Sequence, residues 1–474
     1  MHAFMNCDTT VHRPRPVSIV SWSRSPLPLP PRSMRTLSVA LALALLAPVS
    51  VTAQATAADH ARALRVLAAH PVFDGHNDLP WRIREDKSHP HDVAAYDLRT
   101  KTPGMTDLPR LKAGHVGAQF WSVYIPGEPD DATYAPNGKV SSTPGYARVQ
   151  LEQIDIARRV IATYPELQWA LDARSVRAGF AHGTIGSLLG VEGGHAIENS
   201  LALLREYYAA GARYMTLTHN VTLDWADAAL DSAKHGGLTP FGKEVVREMN
   251  RLGMLVDLAH VSPGTMSDAL STSEAPVIFS HSGARALVDH RRNVPDSILA
   301  RLPKNGGVVM VPFVTSFVSP AVKAHDDSLE AFIADARRRH PAGTKEDSAA
   351  ARAEITSWRT SHPAPAATII DVADHIDHIR QVAGVEHVGI GSDFDGITDN
   401  VVGLEDVSKY PALFAELAHR GWSDADLARL ANGNILRVLA DAERVSTRLK
   451  KSRGPSNLTI EQLDRASGSL PATR

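Results

Sequence analysis

Short apolar runs recur along this chain, and each is followed by an amphipathic, charged stretch. The runs are Val72-Phe73, Val116 to Ile125, Gly186 to Val191, Tyr214 to Thr218, Gly253 to Leu258, Pro276 to Phe279, Gly307 to Val314 and His387 to Ile390. Helical periodicity fills the gaps, for example in Leu201 to Ala210, Gly242 to Arg251 and Thr265 to Thr272. Continuously apolar strands that alternate with helices indicate a parallel sheet buried on both faces. Eight such units within roughly 320 residues predict an α/β protein with a closed, TIM-like (β/α)8 barrel. An open doubly wound sheet is the competing arrangement, disfavoured because no G-x-G-x-x-G turn follows the first run. One segment breaks the rhythm. Residues 321–366 are charged and rich in Ala, Glu and Lys, and they read as a helical insertion after the seventh strand, either a lid or a spacer.

The ends of the chain carry a different pattern. From Met34 a positive start leads into the apolar run Val39 to Val49, then to the small residues Val51-Thr52-Ala53 and Ala55-Thr56-Ala57. That order describes a signal peptide over 34–57, with an apolar core too short for a permanent bilayer span. The Pro- and Arg-rich residues 1–33 sit awkwardly ahead of it and read as a misassigned extension. The lone cysteine, Cys7, falls there, so neither disulfides nor a cysteine nucleophile are expected in the mature protein. The barrel is expected over 58–447 and a mobile polar tail over 448–474, without a membrane anchor. Export to the periplasm or the exterior is the expected fate.

Composition narrows the field only slightly. The 474 residues are 43% hydrophobic and 22% charged, with a net charge of −2, which is ordinary for a soluble enzyme and favours no nucleic-acid partner. Histidine is frequent, at 22 residues. That raises the expectation of metal or acid–base chemistry without locating it.

The strand ends locate it. Active-site residues of such barrels sit at the C-terminal ends of the strands. The first run ends in His76 and Asp78, two positions apart and so predicted to share one side of a strand. The third ends in Glu192-Gly193-Gly194-His195, the fourth in His219-Asn220, the fifth in Asp257-Leu258-Ala259-His260, the sixth in Ser280-His281-Ser282 and the eighth in Asp393-Phe394-Asp395-Gly396. Taken singly, each has a bland reading as a cap or turn residue. Together they crowd imidazoles and carboxylates at one mouth, where like charges repel and burial is costly unless cations are present. Nitrogen and oxygen donors of this kind suit divalent metals. Two ions fit better than one: His76 and Asp78 hold the first, His260 and His281 the second, and Glu192 gives one oxygen to each. Such a pair shares and acidifies a water and polarises a carbonyl, which is amide hydrolysis. Asp393 is then the expected proton shuttle and His219 the stabiliser of the oxyanion. Arg292, in the loop after the sixth run, is placed either to bind a substrate carboxylate or to lie solvated on the surface. Neither a G-x-S-x-G elbow nor a His-Glu-x-x-His helix is present.

From Pro71 to about Asp441 the chain resembles the membrane (renal-type) dipeptidases, zinc enzymes of the metallo-dependent hydrolase barrels. The resemblance rests on Asp74-Gly75-His76-Asn77-Asp78-Leu79-Pro80-Trp81, Gly190-Val191-Glu192-Gly193, Leu217-Thr218-His219-Asn220, Asp257-Leu258-Ala259-His260-Val261-Ser262 and Phe279-Ser280-His281-Ser282. Arg291-Arg292-Asn293-Val294-Pro295-Asp296, Gly391 to Gly396 and Gly403 to Pro411 complete it in the same order. It implies two zinc ions on His76, Asp78, Glu192, His260 and His281, with His219 and Asp393 flanking the scissile carbonyl and Arg292 on the C-terminal carboxylate of a dipeptide. It also implies acceptance of dipeptides with a D-residue at the C-terminal position. The alternative that keeps the metals changes the substrate to an N-acyl amino acid or a β-lactam. Phe317 stands where mammalian members have a Tyr, which leaves substrate preference open. The cysteines and lipid-anchor signal of those members are missing, so their linked, anchored dimer is not implied, although a homodimer stays among the options.

Overall fold

The computed structural model describes residues 55–127, 145–341 and 344–464. The segments read as extension and leader, apart from residues 55–57, lie outside the described residues, as do Cys7 and residues 465–474. The strands are β1 (Val72–Asn77), β2 (Val116–Ser122), β3 (Leu167–Trp169), β4 (Ile185–Glu192), β5 (Ala212–Thr216), β6 (Leu255–Asp257), β7 (Ile278–Phe279), β8 (Val308–Val311) and β9 (Val388–Ile390). All pairings are parallel, and the order β2-β1-β9-β8-β7-β6-β5-β4 closes on itself through β2–β4. Those eight strands are the eight apolar runs, and the barrel they form is the expected (β/α)8 fold. β3 was not foreseen. It lies beside the first residues of β4, whose later residues pair with β5 instead. Three residues with only Leu167 buried leave too little pattern to read as a strand.

One buried cluster joins the strand residues Phe73, Phe120, Leu188, Tyr214, Leu255, Ile278, Val308 and Met310 to Val176 and to Ile435, Val438 and Leu439 of helix Asn434–Ser452. A second gathers Val72, Val116, Val191 and Val256 with the surrounding helices. Neighbouring residues of one strand thus join different clusters, as the two faces of a strand require. Helices start where short polar side chains accept the third backbone N–H: Asp172 from Ser175, Ser200 from Leu203, Thr239 from Gly242 and Ser262 from Thr265. The insertion forms two helices, Pro320–Arg339 and Lys345–Ser361, joined side by side through Phe332 on Trp358 and through Glu354, which meets both Arg339 and His340. No helix among the described residues is long and apolar enough to cross a membrane.

The tail expectation needs correcting. Helix Asn434–Ser452 runs straight through residue 447, and the chain beyond it is tied down. Arg205 donates to the carbonyl of Ser456, and the buried Asp464 accepts from the N–H of Phe241 at 2.8 Å. The polar composition of residues 453–464 conceals these backbone contacts.

β1 meets β9 through a single ladder partner, Asp74 with Ile390, so side chains reinforce the seam. Asp74 is fully buried and accepts from Ser392 N at 2.8 Å, Ser392 Oγ at 2.6 Å and Tyr410 Oη at 2.7 Å. Burial raises its carboxyl, and the hydrogen bonds from Ser392 and Tyr410 pull it back. Tyr410→Phe is expected to cost about 1–3 kcal/mol, because it withdraws a donor from a buried carboxylate. Denaturant unfolding at fixed zinc checks this; a midpoint equal to wild type would show that Tyr410 serves the seam only by packing.

Candidate metal centre

His76, Asp78, Glu192, His219, His260, His281 and Asp393 come together at one mouth of the barrel, but local geometry places them more than strand alternation does. β1 ends at Asn77, and Asp78 is the residue that caps helix Leu79–Arg84. The register of β1 against β2 slips between Asp74 and Asn77. An irregularity of that kind re-aims side chains. His76 Nε2 and Asp78 Oδ2 still come within 3.1 Å, so the expected pair forms by a route other than the one the i, i+2 spacing suggests. His260 and Asp393 hold left-handed backbone angles, φ 65° and 68°. Non-glycine residues take that conformation where the surroundings impose it, often at functional sites.

Glu192, the last residue of β4, sits at the middle. Its Oε2 lies 3.3 Å from His76 Nε2 and accepts from Ser122 Oγ at 3.0 Å. Its Oε1 faces the other way, 3.0 Å from His260 Nε2, 3.5 Å from His281 Nε2 and 4.0 Å from His219 Nε2. One carboxylate therefore presents one oxygen to each of two groups of donors. Asp393 Oδ1 is 3.8 Å from His76 Nε2. Three overlapping triads have donor atoms within 4.8 Å of one another: His76, Asp78 and Glu192; Glu192, His219 and His260; His76, His281 and Asp393. The second triad groups His219 with Glu192 where sequence reading put His281. His281 Nε2 is nearer to Glu192 Oε1 than His219 Nε2 is, at 3.5 Å against 4.0 Å.

The donors fit cations better than they fit each other. His76 Nε2 and Asp78 Oδ1 are buried without a hydrogen-bond partner among the described residues, although carboxylate oxygens stand close to that nitrogen. Buried polar atoms are rarely left so. His260 Nε2 and His281 Nε2 face each other at 2.9 Å. The opposite nitrogen of His260 meets Asn220 Oδ1 at 3.1 Å. That of His281 meets Ser280 Oγ at 2.9 Å, whose hydroxyl is donated to the buried Asp257 at 2.6 Å. Both Nδ1 atoms must then carry the proton, which turns two Nε2 lone pairs toward one point. A divalent cation is the group that satisfies such an arrangement.

Electrostatics agree. Burial, with Arg292 nearby, holds His260 well below the ordinary imidazole range, and burial with His76 does the same to His281. Both imidazoles are therefore neutral at pH 7. Burial opposes the charge on Glu192, yet His76 and His260 keep it well below the usual carboxylate range. Asp393 moves the other way: burial, opposed by His76 and aided by Asp78 and Glu192, pushes it well above. Two acids of the same chemistry are thus set to different tasks.

The mouth opens into a cavity of about 540 Å³. Asp78, Glu192, His219, His260 and Asp393 line it together with Trp81, Tyr124, Arg292 and Phe317. Arg292 is 1% exposed, so the solvated-surface alternative does not hold. Burial pulls its guanidinium down to about 10 against the nearby Asp393, Glu192 and Asp257. Its Nη2 donates weakly to the carbonyl of His281 at 3.5 Å, its Nη1 has no hydrogen-bond partner among the described residues, and Phe317 lies beneath it at 5.3 Å. A buried cation with spare donors is suited to an anionic group. His195, by contrast, points away. Its Nε2 meets the carbonyl of Ile125 at 3.1 Å and burial lowers it to about 3, which makes it structural. Sequence reasoning missed Tyr124 and Tyr214, because a tyrosine in an apolar run reads as packing.

The sequence model of the membrane dipeptidases, peptidase family M19, matches residues 60–453. Among solved structures, the probable dipeptidase PvdM from Pseudomonas aeruginosa is 24% identical with a TM-score of 0.69, over 82% of this chain and 99% of that one. A metallo peptidase from Rhodobacter sphaeroides, liganded with a phosphinate mimic of the dipeptide L-Ala-D-Ala, is 25% identical with a TM-score of 0.61. That alignment covers 79% of this chain and 99% of the other.

Proposed function

The chain belongs to the membrane dipeptidase family and is a metal-dependent hydrolase of peptide bonds; from that premise we propose that it cleaves small dipeptides with two zinc ions. His76 and Asp78 would hold one ion and His260 and His281 the other, with Glu192 offering one oxygen to each. The observation that carries this reading is the split of Glu192, whose two oxygens face separate histidines. When bound, the ions supply Lewis acidity toward the amide carbonyl and a water acidified to near neutrality.

The chain's own residues do the rest. Arg292 receives the free C-terminal carboxylate and fixes the register of the dipeptide over the donors. His219, in the lining of the cavity, donates a hydrogen bond to the scissile carbonyl oxygen as it gains charge. Asp393, with its raised affinity for a proton, takes one from the attacking water and hands it to the leaving amine as the C–N bond breaks. The L-Ala-D-Ala mimic held by the Rhodobacter relative supports acceptance of L-D dipeptides here. Export to the periplasm or exterior belongs to the same proposal and is supported by the signal-like pattern of residues 34–57.

The test is a panel of L-L and L-D dipeptides, their C-terminal amides and one N-acyl amino acid. Each is assayed as purified, after chelation and after zinc is restored. Cleavage of free dipeptides that vanishes with chelation, returns with zinc and spares the amides is expected. Zinc-dependent cleavage of the N-acyl amino acid alone would keep the metals and move the substrate to the alternative class.

A further inference from the structure

Three of the imidazoles around Glu192, those of His76, His260 and His281, are oriented from behind, and the partners differ. Asn220 backs His260, and Ser280 with Asp257 backs His281. Behind His76 stands a phenol: Tyr214 Oη lies 2.8 Å from His76 Nδ1. Tyr214 is fully buried in the middle of β5, its ring against Phe120 at 4.9 Å, and Phe120 in turn stacks on Phe73 at 5.3 Å. The ring has no room to swing.

The slot it occupies depends on a missing side chain. Gly190 is the β4 partner of Tyr214 in the ladder. A Cβ at 190 would fall 2.0 Å from Cζ of the ring and 2.4 Å from both Cε atoms. None of these atoms belongs to a flexible side-chain end, so any larger residue at 190 must displace the ring and carry its hydroxyl away from His76.

We propose that Tyr214 is a positioning residue for the metal centre, accepting the Nδ1 proton of His76 through its hydroxyl, and that Gly190 holds open the space for it. The inference rests on the reading of His76 as a ligand. An imidazole that ligates through Nε2 while neutral must keep its proton on Nδ1, and the partner of that proton fixes tautomer and ring angle. The phenol oxygen is the atom found there.

Tyr214→Phe keeps the ring and its packing but removes the acceptor. Losing such a partner typically costs 10- to 100-fold in metal affinity. The measurement is zinc binding to the full chain by competition with a chromophoric chelator, alongside the melting temperature of the chelated protein. Ser280→Ala serves as the counterpart, since it touches His281 and not His76. The expected result for Tyr214→Phe is about a 10- to 100-fold weaker association of one ion with the other unchanged and melting of the chelated protein near wild type; Ser280→Ala is expected to weaken the other ion. Unchanged affinity at both ions overturns the proposal. So does equal weakening of both with a lower melting temperature, which would make Tyr214 a packing residue only. A wild-type chain that binds a single zinc defeats the two-ion reading alone, and Tyr214 is then judged by the same shift at that ion.

Discussion

Asp393→Asn is expected to retain the metals and to lower kcat about a hundred- to ten-thousand-fold, the contribution of a positioned proton-transfer group. Asn is the substitution least disturbing to the backbone, because residue 393 sits at φ 68° and Asn tolerates that region better than most side chains. The N–H of residue 393, which donates to the carbonyl of His76 at 3.1 Å, is untouched. What disappears is the carboxylate, whose proton affinity is raised by burial and by Asp78 and Glu192. Asp393 Oδ1 also stands within the triad of His76 and His281, so a ligand role is the rival account. The two separate cleanly. Zinc content equal to wild type with turnover lost assigns the proton-shuttle role, whereas loss of an ion along with turnover makes Asp393 a ligand.

Most of this site was legible because the fold writes itself in two registers at once. Continuous apolar runs announce strands buried on both sides, and the residues just past them stand at the mouth by topology alone. Glu192, His219, His260, His281 and Asp393 were found that way, without any knowledge of their neighbours. What the chain concealed has a common cause. The partners that orient the ligands lie inside the strands, where Tyr214 and Asp257 look like ordinary core and turn residues. The burial of Arg292 was hidden too, because it comes from a loop whose Asn293 bonds back to Gly283 and Phe317, contacts with no periodic signature. His76 and Asp78 were paired for a reason the structure replaces: a slipped register and a helix cap, not strand alternation.

Glu192→Gln carries the largest expected effect. The amide keeps the shape of the side chain but has one acceptor oxygen and one NH2 group, while the native carboxylate serves His76 on one side and His260 and His281 on the other. Whichever way the amide turns, an N–H group faces a position that wants a lone pair, and the negative charge that favours two adjacent cations is gone. At least one ion is expected to be lost, with activity down about a thousand-fold or more, since neither water activation nor carbonyl polarisation survives with half the pair. Stability gives an independent readout. Zinc stabilises the native chain by RT ln(1 + [Zn]/Kd), about 2.7 kcal/mol at a hundred times Kd. The variant should lose most of the melting shift that zinc gives the wild type. The chelated variant should melt at or below the chelated wild type, because His76 and His260 hold the Glu192 carboxylate well below its usual range and Gln removes the charge they favour. Two zinc ions per chain and a wild-type melting shift in Glu192→Gln would show that Glu192 does not join the sites, and the two-ion reading would then have to rest on other ligands.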